Sequence, residues 1–245
     1  MAFNTAQYQA AVDGLSSGLA DLSAKLDSIP GKAKASADRW WVPDPLSEAI
    51  IFFGEKMCEI GSWILDALEK SLEGAVGPVY MFIRSYEWET IRGLASTVSG
   101  QLQPGVVGST DEWQGSAATA YTKEIGPQAG AASSISSIAS KISSSLVEAA
   151  TAGLAFYLVL GVVAIKFITV LAASIVALGS GIFSWAGFLA LLEEAGVSTA
   201  VIVTVTGALV TFLGVQAKQM VTLHGQAVDN SAFPGGHWPT AVKTS

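Results

Sequence analysis

The sequence predicts an all-α protein in which amphipathic helices precede a hydrophobic, transmembrane-type helical hairpin. Three observations indicate this fold class. Apolar residues recur at alternating spacings of four and three over long stretches. Charged residues make up only 13% of the chain, whereas a typical soluble domain carries about 25%. Between Ala150 and Ala217 the charged residues are only Lys166, Glu193 and Glu194.

The first predicted helix covers residues 5 to 29, and its apolar spacing is typical of a helix that packs on another helix. Its apolar positions are Tyr8, Val12, Leu15, Leu19, Leu22, Leu26 and Ile29. Pro30 and Gly31 are expected to end this helix. Trp40 and Trp41 follow, and we expect them to anchor at a membrane interface or to fill a helix junction.

Three more amphipathic helices are expected before the hydrophobic region. The second begins at the Asp44-Pro45 pair, a good N-cap and first-turn combination. Its apolar face consists of Leu46, Ile50, Phe53, Met57, Ile60 and Ile64. The third begins at Pro78, with an apolar face formed by Trp88, Ile91, Ala95, Val98 and Leu102. In the fourth, Gly126-Pro127 is expected to kink or divide the helix.

Two apolar runs are long enough to cross a membrane, which takes about 20 helical residues. The first is Gly153 to Leu178 and the second is Val197 to Val215. Between them lie the break Gly179-Ser180-Gly181 and a shorter apolar run that ends at Glu193-Glu194. We expect the two glutamates to lie in a solvated loop that connects the two long runs. A helical hairpin in lipid is favoured. The alternatives are a hydrophobic helix pair in the core of a soluble bundle, and a soluble form that hides the hairpin and later inserts it.

Lys166 lies near the middle of the first run and is a candidate intramembrane charge. A lysine at the centre of a bilayer costs about 2.5–3.5 kcal/mol. Three interpretations stay open: the side chain lines a pore or an interface, it pairs with Glu193 or Glu194, or it reaches the headgroups along its aliphatic stem.

Four consecutive segments are therefore expected along the chain. They are amphipathic helices in 1–84, a helical hairpin in 85–150, the hydrophobic membrane hairpin in 151–217 and an irregular C-terminal tail in 218–245.

The triplet Trp113-Gln114-Gly115 lies between two predicted helices, with Ala117, Ala118 and Tyr121 following it. A tryptophan can wedge between antiparallel helices while a glycine allows close backbone approach. This arrangement resembles the WXG100 (ESAT-6-like) family of type VII secretion substrates, over about residues 85–150. The resemblance implies a helical-hairpin module that dimerises, often with a similar partner, and bacterial export without a cleavable signal peptide. The family's Tyr-x-x-x-Asp/Glu export signal has no match here, because Glu124 follows Tyr121 at three residues rather than four.

The sequence shows no pattern typical of a catalytic, cofactor or metal site. It contains no Walker loop, HExxH, CxxC or GxSxG motif, and its 2 histidines form no ligand motif. The net charge of −7 and the lack of a basic cluster argue against nucleic acid as a partner. The N-terminal stretch lacks the basic segment followed by an apolar segment that is typical of a secretory signal. We therefore expect no enzyme activity, no cofactor and no metal.

The leading hypothesis from the sequence is a membrane-associated, self-associating helical protein linked to type VII-like secretion, with pore formation as an extension. Membrane lipid and either a second copy or a WXG100-like protein are the expected partners. One alternative is a membrane-anchored scaffold or immunity-type protein that binds a partner through its soluble helices. Another alternative is a holin-like lytic membrane protein.

Overall fold

Five long α-helices dominate the computed structural model, which describes residues 3–103, 105–107, 112–179 and 185–240. They are α1 (Thr5–Ala37), α2 (Asp44–Leu72), α3 (Val76–Gln101), α4 (Ser116–Gly179) and α5 (Trp185–Ala227). Two short 3-10 turns, Asn230–Ala232 and Pro234–Gly236, follow α5. These described ranges contain no strand, so the predicted all-α class is confirmed. The break expected at Ser180 and Gly181 lies outside the described residues.

The helices form two compact units. The first unit contains Met1–Pro78 and Thr151–Thr211, and the second contains Val79–Ala150 and Phe212–Ser245. Both α4 and α5 contribute to each unit, so pieces that are distant in sequence are brought together. The four segments predicted from the sequence, in contrast, follow one another along the chain.

The α1–α2 hairpin forms much of the core of the first unit, and its apolar spacing explains why. Six of the seven predicted apolar positions of α1 are buried, and Val12 is partly exposed. The buried apolar residues of α1 are Tyr8, Leu15, Leu19, Leu22, Leu26, Ile29, Ala33 and Ala37. Those of α2 are Ile50, Phe53, Met57, Ile64 and Leu68. The alternation of four and three therefore identified the packed face of α1 and most of that of α2, in which Leu46 and Ile60 are partly exposed.

Two buried glycines of α2 let α1 approach closely. A Cβ atom at Gly54 would lie 2.8 Å from the Cβ of Ala33, and one at Gly61 would lie 2.2 Å from Leu26 Cδ2. Contacts this short do not occur between real Cβ atoms and their neighbours, so a larger residue at Gly54 would collide with Ala33, and one at Gly61 would force the Leu26 side chain or the helices to shift. The glycines are seven residues apart, which places them on the same face of α2.

The prediction that Pro30 and Gly31 end the first helix is wrong, because α1 continues to Ala37 with Pro30 inside it. A proline within a helix leaves the carbonyl four residues earlier without its N–H donor. That carbonyl belongs to Leu26, and Cys58 Sγ of α2 lies 3.8 Å from it as a weak donor. Burial, with smaller contributions from Asp27 and Glu55, raises the pKa of the Cys58 thiol, so the sulfur keeps the proton that it donates.

Other helix boundaries also differ from the sequence prediction. Pro127 does not divide the fourth helix, since α4 runs unbroken from Ser116 to Gly179. Helix α3 begins at Val76, two residues before Pro78. The tail expected to be irregular from residue 218 is helical as far as Ala227.

We predict that Gly61→Val lowers the free energy of unfolding by about 1–3 kcal/mol, the usual cost of overpacking a core. The added methyl groups would collide with Leu26, which is itself buried. Gly14→Val is the matched control, because Gly14 is also inside a helix but has no atom within 4 Å of its Cβ position. Chemical denaturation followed by circular dichroism measures both. Equal losses in the two variants would contradict the close packing at Gly61.

Candidate membrane-interaction site

The apolar run of α4 is buried on one side and exposed on the other. In the first unit its buried hydrophobic residues are Leu154, Phe156, Tyr157, Leu160, Val163, Ala164, Phe167, Leu171, Ile175 and Leu178. The exposed stripe of the same helix consists of Val162, Ile165, Lys166, Thr169, Ala173 and Val176. Lys166 therefore lies on the outer face of α4, among residues that are mostly apolar.

The apolar run of α5 is much less covered. Between residues 189 and 211 of α5, the buried residues form a narrow seam of Leu191, Ala195, Ser198 and Ile202. Large apolar side chains elsewhere on the helix are exposed, namely Leu189, Leu192, Val197, Val203, Val210, Leu213 and Val215. Among the described residues, α4 and α5 are the two helices long and apolar enough to cross a membrane, with 44% and 11% of their apolar stretches buried.

Hydroxyl groups within the two runs bond to their own helix. Thr169, Thr204 and Thr211 each donate to the carbonyl four residues earlier, at 2.8, 2.7 and 2.8 Å. The polar atoms of these side chains therefore need no water or partner chain, which is the condition for placing threonine in hydrocarbon.

Glu193 and Glu194 are not in a connecting loop, which corrects the sequence prediction. Both lie inside α5, where Glu193 is exposed and Glu194 accepts a hydrogen bond from Ser198 Oγ at 3.1 Å. The next charged residue along α5 is Lys218. The helix between these charges is long enough to cross the hydrocarbon core, for which about 20 residues suffice.

A polar network joins α4 and α5 in the second unit. Lys141 Nζ donates to Gln226 Oε1 at 2.9 Å and Ser145 Oγ donates to Gln219 Oε1 at 3.2 Å. These pairs run in opposite directions along the two helices, so the helices are antiparallel here. A third bond, from Gln216 Nε2 to Glu148 Oε2 at 2.9 Å, lies nearest to the apolar runs. The network therefore immediately precedes the run of α4 and follows that of α5.

Helices α3 and α4 form an antiparallel hairpin in the second unit, joined by serine hydroxyls. Ser99 Oγ donates to the carbonyl of Ala129 at 2.9 Å, Ser136 Oγ to that of Arg92 at 3.2 Å, and Ser143 Oγ to that of Ser85 at 3.1 Å. We call these bonds the serine ladder. Its contacts are seven residues apart on each helix, which keeps them on one face of each.

The ladder shows that the apolar face predicted for α3 is not its packed face. Ile91 and Val98 of the predicted face are exposed, and Trp88, Ala95 and Leu102 are partly exposed. The fully buried position in the ladder portion of α3 is Ser85. Small side chains allow two helices to lie close together, and hydrophobicity alone does not reveal such an interface.

The bend before α4 contains the Trp113-Gln114-Gly115 triplet, and both motif residues act differently from the sequence prediction. The Trp113 side chain is 44% exposed and its ring contacts that of Tyr121, with centroids 5.8 Å apart, so it is not a buried wedge. Gly115 has no atom within 4 Å of its Cβ position and therefore permits no close approach. Its φ of +109° is the reason for glycine, because other residues are strained there.

A second apolar stripe lies exposed on α3. It consists of Tyr80, Ile83, Ile91, Leu94 and Val98. Glu87 occupies the same stripe, but its carboxylate bonds to Arg84 at 2.6 Å, and the Arg84 guanidinium lies 5.0 Å from the centre of the Tyr80 ring. The one carboxylate in the stripe is thus partly neutralised by its neighbour.

The α1–α2 turn of the first unit presents tryptophan to solvent. Trp40 is 95% exposed, which excludes the prediction that it fills a helix junction. Trp41 is about half exposed and its ring lies 5.8 Å from the Arg39 guanidinium. Near this turn, Ser36 Oγ bonds to the carbonyl of Leu178, so the turn is at the same end of the first unit as the C-terminus of α4.

The chain was compared with protein-family models, curated proteins and solved structures. No match was found. The resemblance to WXG100 proteins therefore stays a prediction from the sequence around Trp113 and Gly115. In the described part of the chain, no group of three or more His, Cys, Asp or Glu side chains is placed to hold a metal ion.

Proposed function

We propose that this chain is a non-enzymatic, membrane-associated helical protein whose α4 and α5 runs enter lipid and whose α3–α4 hairpin binds a second helical chain. The observation that carries the proposal is the exposed apolar run of α5, of which 11% is buried. Monomeric soluble proteins rarely expose long contiguous apolar surfaces, and such surfaces mark membrane or protein contacts.

The distribution of polar groups supports lipid as the environment of this surface. Apolar side chains of α5 are exposed over a wide arc of the helix, and the threonine hydroxyls between them are satisfied internally. Glu194 and Lys218 mark the two ends of the uncharged stretch. Beyond Lys218, residues of α5 take part in the polar network with α4. The charged and amide groups of this network suit the headgroup region or water.

Trp40 and Trp41 fit the role of interfacial anchors. Tryptophan favours the membrane–water boundary because its ring is apolar while its indole N–H remains hydrogen-bonded. In the first unit these residues lie at the end where α4 finishes its apolar run. We propose that this turn makes contact with the headgroups.

The exposed stripe of α3 supports a protein partner for the hairpin. Its apolar residues repeat at helical spacing over the length of the helix, as they would in a further helix–helix interface. A second copy of the chain is the partner that we propose, and a WXG100-like protein is the alternative. The link to type VII-like secretion is part of the proposal through the resemblance at Trp113 and Gly115.

The stripe that contains Lys166 suits lipid better than a water-filled lumen. A lumen face needs polar groups along its length, but Val162, Ile165 and Val176 dominate this stripe and the Thr169 hydroxyl is already bonded. The aliphatic stem of Lys166 can carry the ammonium toward the headgroups. We therefore propose a membrane anchor that binds partners, rather than a pore.

We predict that Val203→Lys weakens membrane integration, because a lysine within a spanning helix costs about 2.5–3.5 kcal/mol. Val228→Lys is the matched control: the two valines are 62% and 60% exposed, but Val228 lies beyond the apolar run. Resistance to alkaline carbonate extraction from vesicles measures integration, and we expect a loss of at least about tenfold for Val203→Lys only. Full extraction of the wild-type protein would overturn the proposed function.

We predict that Trp40→Ala weakens binding to vesicles, because placing a large apolar side chain at the interface contributes roughly 1.5–3 kcal/mol. This corresponds to at least about a tenfold loss of affinity in a co-sedimentation titration. Trp63→Ala serves as the control, since Trp63 is also exposed but lies in the middle of α2. If both changes had the same effect, the turn would have no special role at the membrane.

We predict that Leu94→Lys weakens self-association by about tenfold or more, because it places a charge in the exposed stripe of α3. Ser96→Lys is the control, since it adds the same side chain to an exposed position outside the stripe. Sedimentation velocity in mild detergent gives the dissociation constants. Unchanged self-association in Leu94→Lys would show that copies meet through another surface.

A further inference from the structure

Helix α1 lies along the apolar run of α4 in the first unit. The Tyr8 and Tyr157 rings meet edge to face, with centroids 5.5 Å apart. Further along, a Cβ atom at Gly18 would lie 4.0 Å from the Cβ of Ala164. These contacts occur in the same order along both helices, so α1 and α4 run parallel.

The last turn of α1 completes this contact at the C-terminus of α4. Ser36 is buried, and its Oγ donates to the carbonyl of Leu178 at 2.7 Å. Leu178 is the next-to-last residue of α4, and the last four carbonyls of a helix have no partner within it. Helix α1 thus covers the apolar run and also satisfies one of the end groups of α4.

At the other end of the contact between α1 and α4, hydrogen bonds hold the first turn of α1 in place. The Tyr8 hydroxyl donates to the carbonyl of Ala75, and the Tyr157 hydroxyl donates to that of Ser71 at 2.7 Å. Burial, with a smaller contribution from Tyr157, raises the pKa of Tyr8, so its hydroxyl stays protonated as a donor. Both ends of α1 therefore have specific polar contacts in the first unit.

The outward faces of α1 and α2 are incompatible with hydrocarbon. They carry the exposed carboxylates of Asp13, Asp21, Asp27, Glu48, Glu55, Glu59, Asp66 and Glu69. Each charged side chain at the centre of a bilayer costs about 2.5–3.5 kcal/mol on insertion scales. The run of α4 cannot be surrounded by lipid while this charged pair lies along it.

We infer that the α1–α2 hairpin is a removable cover, which shields one side of the α4 run in water and must leave it before α4 enters the bilayer. This inference rests on the proposed membrane function. The hairpin has an interface of its own, in which Gly54 and Gly61 of α2 fit against α1, so it can move as one body. The Trp40–Trp41 turn joins its two helices and brings the cover to the headgroups before release.

A disulfide between residues 18 and 164 tests the cover directly. The Cβ distance of 4.0 Å is within the range of about 3.5–4.5 Å for disulfides. Gly18→Cys and Ala164→Cys are introduced together with Cys58→Ser, which removes the native thiol and keeps a donor for the Leu26 carbonyl. The reduced form of the same triple variant is the matched control, and the two single-cysteine variants control for the substitutions.

The probe is a vesicle of equal parts phosphatidylcholine and phosphatidylglycerol. We expect the oxidised protein to co-sediment with vesicles at neutral pH through its tryptophan turn, but to lose carbonate resistance by at least about tenfold. The reduced protein should integrate as the wild type does. A second variant, Ser36→Ala, should speed integration because it removes the bond to Leu178, whereas Ser28→Ala should not, since Ser28 bonds within its own helix.

The outcomes separate the cover from the proposed function. Equal integration of oxidised and reduced protein would overturn the cover and leave the membrane function standing. Failure of the two cysteines to cross-link would also overturn the cover, because the contact between α1 and α4 would then not exist in solution. Failure of the wild-type and reduced proteins alike to integrate would overturn both.

Discussion

The packing of α1 along the apolar half of α4 is the interaction on which the first unit depends. It gives the most hydrophobic part of α4 a protein environment on one side and places the tryptophan turn beside the end of that helix. In the described part of the chain, α5 has no such cover along most of its apolar run, and its large apolar side chains stay exposed. The proposed membrane function rests on this exposure, because exposed apolar surface of this extent is typical of contacts with lipid or with another protein.

Much of the fold is readable from the sequence where large apolar side chains form the contact. The periodicity of α1 and α2 identified their packed faces, since leucine and isoleucine at helical spacing leave little ambiguity. Helix ends were less predictable. Pro30 was expected to end α1, but the carbonyl that it leaves free is next to Cys58 of α2, a tertiary contact that no local rule includes.

Less of the candidate site than of the fold could be predicted from the sequence. The two runs of spanning length were visible as stretches with few charges, although Glu193 and Glu194 proved to be helical rather than part of a loop. The α3–α4 interface was not visible, because serine and alanine at seven-residue intervals carry little hydrophobic signal. Trp113 and Gly115 were recognised as a bend, but the positive φ that requires glycine is a property of the backbone and appears only in three dimensions.

The serine ladder has a consequence for how the hairpin folds. Its contacts repeat every seven residues and each serine hydroxyl bonds to a backbone carbonyl, a group that every residue has, so a shift of one helix by seven residues would form similar bonds. Packing alone therefore specifies the alignment of the two helices weakly. The connection between α3 and α4 therefore has to contribute to the choice among these alignments, and the positive φ of Gly115 fixes the backbone just before α4 begins. The register of these two long helices thus depends on the segment that joins them as well as on the contacts between them.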